Sequence, residues 1–239
     1  MQSTTKYIIL SKHNRDPIQH NDNNQIFFIN QQITYLLPAI NHEYYVKYGL
    51  FESSLIEWCK QFCSSNGAFL DIGAHTGTYA ISLAPLCKKV YAFEPQKMTY
   101  YALCGGVALS GQHNIDCLNC GLGSEDQVGK MVLNIVSPDG GGSTMQNIQG
   151  SALAKETIRV QQLDDVAIEE PVCFIKMDVE NNELHVLRGA VKTLEKHNYP
   201  KILFESNCEN IDLFNFLRKD LNYNIVNILG VSNMFLATR

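Results

Sequence analysis

Residues 69–79, Phe69-Leu70-Asp71-Ile72-Gly73-Ala74-His75-Thr76-Gly77-Thr78-Tyr79, run from an apolar stretch into a turn with two glycines and then into a helix pattern. The apolar residues 68–72 predict a short buried strand and residues 78–86 a helix. The turn therefore falls at the carboxyl end of a strand, where open α/β sheets bind their ligands. The same alternation continues downstream. Strands are predicted over 89–93, 115–120, 172–177 and 201–205, and helices over 96–109, 182–194 and 209–221. Strands alternating with helices of this length mean βαβ units and a parallel sheet. Two closing strands, 224–229 and 234–237, are joined only by residues 230–233, too few for a parallel crossover, so they must pair antiparallel. The expected fold class is a doubly wound, Rossmann-like α/β sheet ending in an antiparallel hairpin.

Upstream, residues 1–45 form a β-rich extension with strand patterns at 6–10, 25–30 and 33–37, and residues 46–239 form the main domain. Ser54-Leu55-Ile56-Glu57 has capping-box spacing and predicts a helix to Cys63. The chain has 239 residues, 45% of them apolar and 18% charged, which is the composition of a globular protein able to bury a core. Its net charge of −5 comes without any run of Lys or Arg, so a nucleic-acid partner is not expected. No segment has the length of a membrane span and none at the start reads as a signal peptide, so a cytoplasmic location is expected. The eight cysteines then read as small buried hydrophobes. Cys117 and Cys120 form a lone CxxC with no second pair at zinc spacing, which argues for packing over metal.

The turn at 73–77 lacks the second glycine of the dinucleotide fingerprint G-x-G-x-x-G; His75 stands there. S-adenosylmethionine carries no phosphate. It requires a carboxylate near its amino group and a turn of small residues against its methionyl part. Asp71, Gly73, Ala74 and Gly77 meet those needs, with His75, Thr76 and Thr78 in the same loop. The next strand runs Val90-Tyr91-Ala92-Phe93-Glu94-Pro95 and places Glu94 at its end, 21 residues after Gly73. A carboxylate there can accept hydrogen bonds from both ribose hydroxyls.

From about residue 48 to residue 206 the chain resembles the FkbM-type methyltransferase family, through FLDIGAHTGTYAISLA, VYAFEPQ, NIDCLNCGLGSED, VQQLDD, FIKMDVENNELHVLRGA and ILFES in that order. The resemblance implies the class I methyltransferase fold, S-adenosylmethionine as cofactor, and O-methylation of hydroxyls on sugars and other small molecules. It adds Pro95, Cys120, Gly121 and Asp178 to the expected cofactor contacts. One departure is local: the family follows its aspartate and glutamate with glycine, whereas Asp178-Val179-Glu180 is followed here by Asn181. Asn tolerates a left-handed backbone best among non-glycine residues, so the turn is expected to survive. Where the family often has asparagine, this chain has His75, which points more to hydrogen bonding than to proton transfer.

A sugar hydroxyl is a poor nucleophile, and something must take its proton. Candidates at strand ends are Asp178, Glu180 and Glu205, with His75 as a further one; Glu183 and His185 read as structural. The glycine-rich stretch 137–144 is expected to form a substrate lid, with Gly141, Gly142, Ser143 and Thr144 on the acceptor and Tyr48 as another wall. Asp178, Glu205 and Asn207 could together hold Mg²⁺, but a metal-free base is the favoured route. Two other classes stay open at this point: an inactive domain that binds the cofactor, and a nucleotide-dependent oxidoreductase.

Overall fold

The computed structural model describes residues 6–11, 19–20, 26–27, 33–206, 210–231 and 233–239. Strand β1 (Tyr7–Ser11) pairs antiparallel with β4 (Thr34–Pro38), and β2 (Gln19–His20) with β3 (Ile26–Phe27). Most of the expected strand at 25–30 lies outside the described residues. Helices α1 (His42–Tyr48) and α2 (Ser53–Cys59) follow, the first not anticipated from the sequence. The chain then alternates through β5 (Ala68–Ile72), α3 (Thr78–Leu83), β6 (Lys89–Phe93), α4 (Lys97–Leu109) and β7 (Ile115–Leu118). After an inserted segment come β11 (Val172–Met177), α5 (Glu183–Arg188), α6 (Val191–Lys196), β12 (Lys201–Glu205), α7 (Ile211–Asn215), β13 (Asn224–Asn227) and β14 (Met234–Thr238). The insertion itself carries β8 (Gly121–Leu122), β9 (Gly129–Ile135) and β10 (Ala154–Gln161).

The main sheet has seven strands in the order β13-β14-β12-β11-β5-β6-β7. The five strands β12-β11-β5-β6-β7 are parallel, and β14 lies antiparallel between β12 and β13. Residues alternate between the two faces of a strand. Leu70, Ile72, Tyr91 and Phe93 accordingly join one core with Val186, Leu194 and Leu213 from α5 to α7. Phe69, Val90 and Ala92 join the other with Ile81 and Leu103 from α3 and α4. Helices on both faces make the sheet doubly wound, as expected. The β1–β4 pair is docked on α4, where a Cβ at Gly105 would lie 2.4 Å from Leu36 Cδ1, and Ser110 Oγ donates to Thr34 O and accepts from Thr34 N–H.

Three expected elements differ. The strand predicted to Cys120 ends at Leu118, because Asn119 turns its amide onto the carbonyls of Glu94 and Pro95. The single helix predicted over 182–194 breaks at Gly189, whose Cα faces the Gly123 carbonyl so closely that a Cβ would sit 2.0 Å from it. The capping box at Ser54 is not used: Glu52 is the cap residue of α2, left-handed at φ 55, and no side chain caps the helix. The last helix, α7, is capped by Asn210 and continues as a wider turn through Phe216–Asp220; Glu209 lies outside the described residues.

Candidate active site

A cleft opens at the carboxyl ends of β5, β6 and β11, under the loop between β9 and β10. Its floor is the turn after β5. Gly73 has φ 78, and a Cβ there would lie 1.8 Å from the Asp178 carbonyl oxygen, so only glycine lets β5 and β11 close at this point. Gly77, at φ 84, serves as the cap residue of α3. Ala74, His75 and Thr78 reach the cleft from this turn, whereas Thr76 is buried and Gly77 faces Leu103.

Glu94 forms one wall and is only 6% exposed. Its Oε2 accepts the His75 N–H at 2.8 Å, and its Oε1 accepts the Gln96 N–H at 2.8 Å and the Thr99 hydroxyl at 2.9 Å. Burial raises its pKa, with His75 pulling the other way. A carboxylate has about four acceptor positions. One on Oε2 is left for a ligand hydroxyl, so the acid is both fixed and still able to bind. On the Pro95 side the wall is apolar, built from Phe93, Cys120-Gly121-Leu122, Leu133 and Ile158 of the inserted sheet, and Met145 of the loop between β9 and β10. Such an apolar surface beside a buried acid suits a flat ring bearing a polar substituent.

Asp71 is not brought to the cleft. The alternation of β5 turns its fully buried carboxylate toward α3, where Oδ2 accepts the Ala80 N–H at 2.9 Å and Oδ1 lies 4.0 Å from Lys176 Nζ. Burial pushes it up to about 6 against the pull of Lys176. Its role is to hold α3 and Lys176 behind the floor, a correction to the expected contact with a ligand amino group. Lys176 itself, unremarked in the sequence, lines the cleft. Its ammonium donates to Gly73 O at 3.1 Å and to Asp178 Oδ2 at 3.3 Å; burial opposes its charge, but Asp178, Asp71 and Glu52 raise its pKa.

Asp178 and Glu180 stand on the wall opposite Glu94. The turn that carries them has Glu180 at φ 52 and Asn181 at φ 73, both left-handed, so asparagine does serve where glycine was expected. Burial, then the charge of Asp178, raises Glu180. Glu205 ends β12, the strand beside β11, and is pushed up to about 7 by burial and by the charge of Asp178. Glu183 turns inward beneath the same turn, accepting the N–H groups of Val179 and Asn181, and burial pushes it up to about 7. His185 hydrogen-bonds Ser124 and lies off the lining. Asn207 lies outside the described residues. Among the described residues no group of three or more His, Cys, Asp or Glu side chains is placed to hold a metal ion.

The loop over the cleft is folded onto it. Gly140, Gly141, Gly142 and Ser143 line the cleft. Thr144 stands beside it, donating to Glu180 O at 2.7 Å and pairing by backbone with Asn134. Tyr48 does not reach the lining; it is 59% exposed on α1, its ring 5.1 Å from that of Tyr44. The wall on that side is Glu52 and Tyr79, joined by a 2.8 Å bond from the Tyr79 hydroxyl to Glu52 Oε2. No motif marked Glu52, because only the fold brings the turn before α2 beside α3.

A doubly wound sheet with β14 inserted antiparallel, a buried acid just after β6 and a glycine turn after β5 without the dinucleotide spacing are together the features of a class I S-adenosylmethionine-dependent methyltransferase. The family model for the methyltransferase FkbM domain matches residues 71–225, and the chain belongs to that family. None of the curated proteins compared with it matches. Among solved structures it is similar to an rRNA methylase from Streptococcus thermophilus (13% identity over 77% of this chain and 92% of that one, TM-score 0.44). It is also similar to SMU.1697c from Streptococcus mutans in complex with SAH (13%, 78% and 94%, TM-score 0.48). A third is precorrin-6y C5,15-methyltransferase from Geobacter metallireducens GS-15 (12%, 78% and 85%, TM-score 0.48). No helix among the described residues is long and apolar enough to cross a membrane.

Proposed function

We propose that the protein transfers the methyl group to a hydroxyl of a small hydroxylated molecule, with a sugar as the foremost class. The observation that carries this reading is the pair of carboxyl groups at the ends of neighbouring parallel strands, Asp178 after β11 on the cleft wall and Glu205 at the end of β12. Bound S-adenosylmethionine supplies an electrophilic methyl group; the chain must supply a base for the hydroxyl proton. In this reading Asp178 takes that proton and Glu205, at the end of the neighbouring strand, modulates its basicity. Glu180 stands beside them and completes the acidic wall. Lys176 anchors Asp178, and the floor and lid align the reacting groups by excluding other poses.

The acceptor end carries Glu52, Asp178 and Glu180 against a single cation, Lys176, which is already bonded inward. That balance favours an uncharged acceptor over one bearing phosphates, so within the sugars we place free sugars ahead of nucleotide sugars. The hydroxyl of Ser143 and the backbone of the three glycines offer partners for a polyol. No step in this scheme requires a metal. A mass-spectrometric screen of sugars, nucleotide sugars and small amines for the gain of one methyl tests the reading. It expects an O-methylated neutral sugar; methylation of amines or nucleic acid, with no hydroxyl modified, would overturn it.

A further inference from the structure

We propose that His75 is a positioning residue that makes closure of the 137–144 loop conditional on an occupied ribose pocket, so that cofactor enters first and the acceptor wall forms afterwards. The inference rests on the cofactor assignment and is independent of which acceptor is used. His75 touches both sides of the cleft at once. Its backbone N–H is held 2.8 Å from Glu94 Oε2, the oxygen with an acceptor position open to a ligand. Its ring Nε2 lies 2.7 Å from the carbonyl oxygen of Asp139. A carbonyl can only accept, so Nε2 carries the hydrogen and points at the loop. The left-handed backbone, φ 51, is what allows the amide and the ring to face these two partners.

Gln96 repeats the arrangement. Its N–H is bonded to Glu94 Oε1, and its side-chain oxygen accepts from Ser143 Oγ at 3.2 Å. Two anchors of the loop therefore run back to one carboxylate. The other end of the loop is fixed on the acceptor wall, where Thr144 Oγ1 donates to Glu180 O at 2.7 Å. Asn41 fixes the middle through Asp139 Oδ2 at 2.8 Å. A ribose hydroxyl on Glu94 would hold both the His75 and Gln96 amides in the positions that fix the loop. Coupling of this kind is reciprocal: the factor by which cofactor favours the closed loop is the factor by which the closed loop favours cofactor.

The test is hydrogen exchange of residues 137–144 with and without S-adenosylhomocysteine, read beside calorimetric affinity for the same compound, in the wild type, His75→Asn and His75→Gln. Asn accepts the left-handed backbone most readily, so His75→Asn should fold, but its amide is too short to reach Asp139. Loss of one hydrogen bond should reduce the ligand-induced protection by on the order of fivefold and weaken affinity by the same factor, and the longer His75→Gln should restore both. A purely structural role predicts lower stability with the protection ratio unchanged. Equal protection in His75→Asn and wild type, or weaker affinity with protection unchanged, would overturn the proposal. Failure of the wild type to bind would overturn the cofactor assignment as well, and calorimetry reads that separately.

Discussion

Replacing Glu94 by glutamine tests the ribose wall with the smallest change of shape. The buried carboxylate accepts three hydrogen bonds from the protein, from His75, Gln96 and Thr99. Alanine would orphan all three donors, and a loss of binding could then be a loss of folding. Glutamine can keep its oxygen on the Gln96 and Thr99 side, but its amide then meets the His75 N–H donor to donor. One orphaned buried donor costs about 1–3 kcal/mol of stability. A bond from an ionised group to a ligand hydroxyl contributes about 1.5–3 kcal/mol, so affinity for S-adenosylhomocysteine should fall roughly 10- to 150-fold. Calorimetry measures the affinity, and thermal unfolding of the unliganded protein measures the separate cost to stability. A folded Glu94→Gln protein that binds within about threefold of wild type would refute the assignment of Glu94 to the ribose.

Asp178→Asn should abolish methyl transfer while calorimetry still shows bound cofactor, and EDTA should leave the wild-type rate nearly unchanged; an active variant removes Asp178 from the chemistry. Gly140→Ala introduces a Cβ 2.8 Å from Thr99 Cγ2 and 2.9 Å from Gln96 Oε1 at a residue with φ 86. It should therefore weaken cofactor binding as well as turnover, and lower turnover with unchanged affinity would restrict the loop to the acceptor. Glu183→Gln should leave stability little changed near pH 5 and raise it near pH 8, as read by denaturant unfolding. The sign follows from linkage: the folded pKa, about 7, lies above the unfolded value of about 4.3, so the folded state binds the proton more tightly and loses stability as pH rises through that interval.

Much of the sheet could be read from the sequence because buried parallel strands are short apolar runs between turn residues, and β5, β6, β11 and β12 have the predicted bounds. What escaped depended on contacts distant in sequence. The break at Gly189 is dictated by the carbonyl of Gly123, and nothing within the helix pattern itself shows that neighbour. Within the inserted sheet β8-β10-β9, where β9 and β10 pair antiparallel over seven residues, β8 is attached by a parallel pairing only two residues long, Val160 with Gly121 and Gln161 with Leu122. A strand of two residues has no periodicity to detect.

The site divides along the same line. Glu94 and Gly73 announced themselves because each occupies a position where few residue types work: a fixed acid at a strand end, and a backbone that closes to 1.8 Å of where a Cβ would be. Asp71 was read in the right place with the wrong partner, since a strand position one residue away faces the opposite layer. Lys176 did leave a signal, a charge inside the apolar run Phe174-Ile175-Lys176-Met177. A lysine buried in a parallel strand demands acidic partners, and Asp71, across from it on β5, and Asp178, two residues further along its own chain, are those acids. Read together, the three residues describe one charge network behind the floor. Replacing Lys176 alone would leave the buried Asp71 and the cleft-lining Asp178 without their cation, whereas replacing Asp71 alone would still leave Lys176 bonded to Asp178 and Gly73, so the lysine should prove the more costly position to change.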